Sequence, residues 1–186
     1  PDFTTTGDSS SLGTFTLAQA LNAGNSVTVS TGTAGSNSQA GDILMEFANL
    51  LVSPSVPVSL TLQAKRDINI YNTTIQSSGQ PLSLIFTSAG NGVGAIEVSF
   101  STINTAGGNL TLQGALAQQM PLPDGSFTAA TYRAAVGYDP ASAPWQTRLG
   151  NPTLAVHVLS SNIDLGAGTL SATGLSDSLG GVYVES

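Results

Sequence analysis

Residues 60–114 read LTLQAKRDINIYNTTIQSSGQPLSLIFTSAGNGVGAIEVSFSTINTAGGNLTLQG. Short apolar alternations are separated by Gly, Asn, Ser and Thr, and they recur. Leu60-Thr-Leu62 returns as Leu82-Ser-Leu84 and again as Leu110-Thr-Leu112. Asp67-Ile-Asn-Ile70 followed by Thr74-Ile75 returns as Ala95-Ile-Glu-Val98 followed by Thr102-Ile103. The spacing from Ile68 to Ile96 equals that from Ile75 to Ile103, whereas Leu60 to Leu82 is shorter, so the unit changes length at its turns. Alternation with period two is the mark of a strand with one buried face. Units of about 20–50 residues that cannot bury that face alone must bury it against the next unit. Every unit here is strand and turn, which predicts an all-β fold, a β-solenoid.

The same pattern extends outward from this stretch. Ile43 to Ile68 and Leu50 to Ile75 share one spacing as well, which makes 41–52 an earlier copy with Ile43 and either Leu44 or Met45 inward. Asn25–Thr31 alternates with Val27 and Val29 inward. Ser53-Pro-Ser-Val-Pro57 belongs to a turn, because proline cannot donate a ladder hydrogen bond. Leu154-Ala-Val-His-Val158, Ser161–Leu165, Thr169-Leu170 and Gly181–Val184 resume the alternation. Residues 1–18 form a polar lead-in, and FTLAQALNA (15–23) at its end is the best candidate for a short helical turn or an irregular first coil. No polar cap follows Val184, so Val182 and Val184 are candidate stacking residues for a further unit or a second copy.

Between these runs, residues 115–152 (ALAQQMPLPDGSFTAATYRAAVGYDPASAPWQTRLGNP) lose the alternation and concentrate prolines and aromatics. They form an inserted excursion, with a short helix expected near Phe127–Val136. Long structured insertions tend to carry function. Tyr132, Tyr138 and Trp145 offer stacking area for a glycan or protein partner, and Arg133 and Arg148 offer donors. The alternative is a lid folded over the side of the solenoid, covering apolar surface.

Composition narrows the function. Charged residues make up 8% of the chain and net charge is −7, with Lys65, Arg66, Arg133 and Arg148 the only basic residues. A phosphate backbone demands a cationic stripe, so nucleic acid is excluded as a partner. Apolar residues make up 40% and are periodically placed, which argues against disorder. No apolar run is long enough to span a bilayer. Cysteine is absent, which removes disulfides and thiolate metal sites. The chain opens at Pro1 without a signal-like basic and apolar stretch, and is expected to be a mature or trimmed product.

The pattern Ala20-Leu-Asn-Ala-Gly-Asn-Ser-Val-Thr-Val29, Gly41-Asp-Ile43, Leu60-Thr-Leu-Gln-Ala64, Asp67-Ile-Asn-Ile70, Thr74-Ile75 and Ile103-Asn-Thr-Ala-Gly-Gly-Asn-Leu-Thr-Leu112 resembles the repeats of filamentous-haemagglutinin-type exoproteins. These are the large passengers of two-partner secretion. The resemblance covers residues 19–114 and, more loosely, 154–184, but not 115–152. The family's Asn-Pro-Asn-type secretion motifs are absent, so the likeness is to its repeat region. It implies a right-handed parallel β-helix, a secreted or cell-surface location, and a role in adhesion, biofilm matrix or toxin presentation. The implied partners are a host or bacterial surface glycan or protein, or a second copy, with an outer-membrane transporter during export.

Enzymatic chemistry finds less footing. Glycoside hydrolysis needs two carboxyl groups a few ångströms apart, and Asp42, Glu46, Asp67, Glu97, Asp124, Asp139 and Asp164 look scattered along the chain. Asp42 and Asp67 occupy equivalent repeat positions and read as turn residues whose carboxylates bond nearby backbone. His157, the single histidine, is offset by one from the Val156/Val158 face and is expected to point to solvent or to the excursion. No cofactor, metal site or catalytic residue is expected. Asn72-Thr-Thr74 and Asn109-Leu-Thr111 match the N-glycosylation pattern.

Overall fold

The structure is a computed structural model and describes residues 1–5, 10–31, 41–88, 94–114, 154–174 and 181–185. The first elements are β1 (Asp2–Thr4), α1 (Thr14–Asn22), β2 (Val27–Ser30), β3 (Ile43–Glu46) and β4 (Asn49–Val52). They are followed by β5 (Val58–Ala64), β6 (Ile68–Tyr71), β7 (Thr74–Ser77), β8 (Leu82–Ser88), β9 (Ile96–Ser99) and β10 (Thr102–Asn104). The last are β11 (Leu110–Gly114), β12 (Leu154–Leu159), β13 (Asn162–Asp164), β14 (Leu170–Gly174) and β15 (Gly181–Glu185). The chain is thus mostly β, with one helix among the described residues.

The strands form three sheets: six-stranded, β1-β2-β5-β8-β11-β14; five-stranded, β15-β12-β9-β6-β3; and four-stranded, β13-β10-β7-β4. All recorded pairings are parallel. From β2 onward the chain visits the six-, five- and four-stranded sheets in constant rotation, and each circuit adds one strand to each. Like residues therefore stack over like. Ile43, Ile68, Ile96, Val156 and Val182 form one ladder, and Met45, Ile70, Val98, Val158 and Val184 the next. Leu50, Ile75, Ile103 and Ile163 line the four-stranded sheet. Together with the six-stranded sheet's ladder of Val29, Leu62, Phe86, Leu112 and Ala172 they make one shared core.

The isoleucines and leucines that recur at equal spacing in the sequence are direct neighbours here: Ile43 pairs with Ile68, Ile68 with Ile96, Leu50 with Ile75 and Ile75 with Ile103. Met45, not Leu44, is the second inward residue of β3, and Leu44 is 52% exposed. The alignment of the leucine pairs needs correcting. Leu60 pairs with Leu84 and Leu62 with Phe86, while Leu82 faces Val58. Leu110 likewise pairs with Leu84 rather than Leu82.

Each junction between sheets has its own chemistry. The step from the five- to the four-stranded sheet is always two residues, the first in the left-handed region: Phe47, Asn72, Phe100 and Ser160, with φ of 50, 46, 51 and 44°. In the later three circuits the second residue carries a hydroxyl that accepts the N–H one circuit back. Thr73 Oγ1 takes it from Ala48 at 3.4 Å, Ser101 Oγ from Thr73 and Ser161 Oγ from Ser101, both at 3.1 Å. Buried backbone donors are thereby satisfied where the ladder is interrupted. At the step from the four- to the six-stranded sheet the backbones touch: a Cβ on Gly108 would lie 2.2 Å from the Leu82 carbonyl oxygen, so only glycine fits.

All large variation in length falls at the third junction, from the six- to the five-stranded sheet. It spans residues 31–42, 65–67, 89–95, 115–153 and 175–180 in successive circuits. Gly114 and Ala155, which flank the longest of these, are in backbone contact.

Helix α1 closes part of the first end. Thr14–Asn22 is rich in Ala and Leu, good helix formers. Leu17 and Leu21, one turn apart, are buried on β4, and Gly24 ends the helix with φ +80°. At the other end of the described strands Leu170, Val182 and Val184 are 43, 42 and 51% exposed.

Candidate functional site

The five-stranded sheet separates itself from the other two by its outward side. There the register stacks Leu44, Asn69, Glu97 and His157. Leu44 is open, but Asn69, Glu97 and His157 are buried although they point away from the core. Asn69 Nδ2 donates to Glu46 Oε1 at 3.1 Å, and Ser99 Oγ donates to Glu97 Oε1 at 2.6 Å. Glu97 and His157 are register partners on neighbouring strands, which sets their backbones about 4.8 Å apart. His157, expected to point to solvent or to the excursion, lies on the outward side of the sheet but is buried, which overturns the solvent alternative; the excursion lies outside the described residues. Alternation decides which side of a sheet a residue takes and says nothing about whether that side is wet.

One margin of this sheet is an ion-paired corner. Arg66 donates from Nε to Asp42 Oδ1 at 2.7 Å and from Nη2 to Asp42 Oδ2, and its Nε lies 3.6 Å from Asp67 Oδ2. The carboxylates also hold backbone. Asp42 Oδ1 accepts the Asp67 N–H at 3.1 Å, and Asp67 Oδ1 accepts the Ala95 N–H at 2.7 Å. The turn role expected for these two residues is thus met, but on the next circuit rather than on local backbone. The acids are less scattered than they look in sequence: Asp42, Glu46, Asp67 and Glu97 all fall on or beside this one sheet. No cluster of three or more His, Cys, Asp or Glu suited to a metal is present among the described residues.

The opposite margin is aromatic. Tyr71 sits edge-to-face between Phe47 and Phe100, with ring centroids at 5.3 and 5.9 Å. Phe47 is 66% and Phe100 51% exposed. Phenylalanine in the left-handed region is uncommon and strained, and here two circuits out of four place it there and in water. Sequence reasoning missed this strip. The signal was present, since Phe47, Asn72 and Phe100 follow one another at the same spacings as Ile43, Ile68 and Ile96. Phenylalanine, however, does not advertise a left-handed corner as Asn72 does.

Tyr132, Arg133, Tyr138, Trp145 and Arg148, the contact residues proposed on the excursion, lie outside the described residues, as do the choice between lid and recognition loop, Asp124 and Asp139. Val182 and Val184, the candidate stacking residues, are exposed on β15 of the five-stranded sheet. Asn72 and Asn109 are both exposed. No described helix is long and apolar enough to cross a membrane. No family model, curated protein or solved structure matches the chain.

Proposed function

We propose that the three sheets close into a right-handed parallel β-helix, and that the chain is a non-enzymatic adhesive module of a secreted, cell-surface or matrix protein. The observation that carries this reading is the aromatic strip of Phe47, Tyr71 and Phe100. Exposed aromatic groups held at fixed spacing on a hydrogen-bonded framework are the usual anchors of recognition. The likeness of the repeats to filamentous-haemagglutinin-type exoproteins points to the same setting. Surface-bound glycans and matrix proteins, immobilised as an array, are the test ligands. Exchanging both phenylalanines by Phe47→Asn and Phe100→Asn follows the chain's own choice at Asn72, so the fold is retained while the rings are lost. The wild type should bind at least one ligand, and the double variant about tenfold more weakly or worse, with its thermal midpoint unchanged or raised. Equal binding by both proteins would sink the strip as the anchor. Trp145→Ala, run beside it, tests the excursion: lost binding at unchanged stability marks a contact, and lost stability marks a lid.

A second reading, self-assembly through open ends, is favoured by the exposed Leu170, Val182 and Val184. Edge strands ending in an unfilled ladder invite pairing with another chain. Sedimentation should then show species larger than the monomer that vanish with Val182→Asp and Val184→Asp. A monomer at every concentration would rule this reading out.

A further inference from the structure

The corner between the five- and four-stranded sheets carries one exposed side chain per circuit: Phe47, Asn72, Phe100 and Ser160. All four share the left-handed backbone, so their Cα–Cβ bonds leave equivalent corners in the same sense. Along the stack the order is ring, amide, ring, hydroxyl, a period of two circuits. Neighbouring strands are about 4.8 Å apart, which sets the two phenylalanines roughly 9.6 Å from one another along the stack. Tyr71, half-buried between them, braces both rings by edge-to-face contact. Beside the corner runs a second outward row, on the four-stranded sheet. Asn49, Thr74, Thr102 and Asn162 are register partners there, and all but Thr74 are exposed. A strip of rings thus lies next to a strip of amides and hydroxyls.

A ligand that fits presents a flat apolar face at every second unit, with hydroxyl groups between and alongside. A β-1,4-linked pyranose chain does this. Its successive sugars are turned over, so the same C–H face recurs at every second sugar, and that repeat is close to two strand spacings. An α-1,4-linked chain of the same sugar coils and does not keep the period. Charge selects further. The carboxylate-bearing Glu46 is the register partner of Tyr71, while the described basic side chains, Lys65 and Arg66, belong to the opposite margin of the sheet. An acidic polysaccharide would meet like charge here and no counter-charge. The polar row holds no hydrophobic residue to receive an acetyl methyl, which favours glucose over its N-acetylated counterpart. We infer that the two rows are the binding face for one extended β-1,4-glucan chain, lying along the stack with Phe47 and Phe100 under alternate sugars. Such binding presupposes the aromatic strip as the anchor of adhesion and adds the ligand. From first to last the four corners span about 14 Å, a site for roughly four sugars.

Cellohexaose is titrated into the full chain by calorimetry, with maltohexaose as the α-linked control and chitohexaose as the acetylated one. Saturable binding of cellohexaose is expected, with both controls about tenfold weaker or worse. Cellobiose reaches one ring and cellotetraose two, so affinity should rise about tenfold or more between them. Phe47→Asn or Phe100→Asn alone should remove that rise, while circular dichroism and thermal midpoint show a folded protein. No binding of cellohexaose, equal binding of maltohexaose, preference for chitohexaose, or a rise with length that survives either single variant would each overturn the glucan assignment. Where cellohexaose fails but an arrayed ligand of other chemistry is lost with the double variant, the strip remains the anchor and only the glucan is excluded. Where cellohexaose binds the double variant as it binds the wild type, both the strip and its ligand fall.

Discussion

Phe86→Ala is expected to lower stability by about 3–5 kcal/mol, the range for emptying a buried aromatic position. Phe86 is fully buried at the middle of the six-stranded sheet, between Leu62 on β5 and Leu112 on β11. Its neighbours cannot close the hole, because each is tied in register to the strands above and below and can move only by breaking a ladder. Two positions further along the same ladder the residue is Ala172, so the core already narrows there and has no excess volume to lend. Thermal unfolding measures the effect. A loss of this size in a chain of this length moves the midpoint by on the order of 10 °C. A shift of under about 2 °C would mean that the centre of the stack is not a close-packed core.

Asp67→Ala is expected to cost about 2–3 kcal/mol, and Asp67→Asn less than half of that. The alanine variant leaves the Ala95 N–H without its 2.7 Å acceptor and takes one carboxylate away from buried Arg66. An unpaired buried donor carries its full desolvation cost, and breaking a buried ion pair adds to it. Asparagine keeps an acceptor at Oδ1 and forfeits only the charge. The contrast between the two variants, read from urea midpoints at constant slope, separates the backbone role of Asp67 from its ion pair. Equal losses would assign the whole effect to charge. Asp42→Asn provides the parallel test one circuit earlier, where the side chain is somewhat more open.

The inward ladders were legible in the sequence because identical offsets relate isoleucines on two different sheets at once, and a shared offset leaves no freedom. The register of β5 on β8 was not. Val58, Leu60 and Leu62 alternate as Leu82, Leu84 and Phe86 do, and an alternation of period two looks the same after a slip of two residues. Matching Leu-x-Leu to Leu-x-Leu chose the wrong one of two equally patterned alignments. What decides it is the turn at Gly79, whose backbone lies against that of Ser53 and Pro54 and fixes the length of the connection. Burial of Glu97 and His157 was illegible for another reason: it depends on what lies over the sheet, and no local period encodes that. The aromatic strip was hidden because the corner geometry is dictated by position in the circuit and overrides residue preference at Phe47 and Phe100.

One seam of the molecule absorbs all the large differences in length between circuits, and Gly114 and Ala155 meet across the longest of them. A segment whose two ends are already held together adds little to the folding cost as it grows, about 0.6 kcal/mol for each doubling. The other two seams, locked by left-handed corners and glycine contacts, tolerate no such growth. Changes of loop length are therefore confined to one edge of the framework, where a longer or shorter connection leaves the register of every strand untouched.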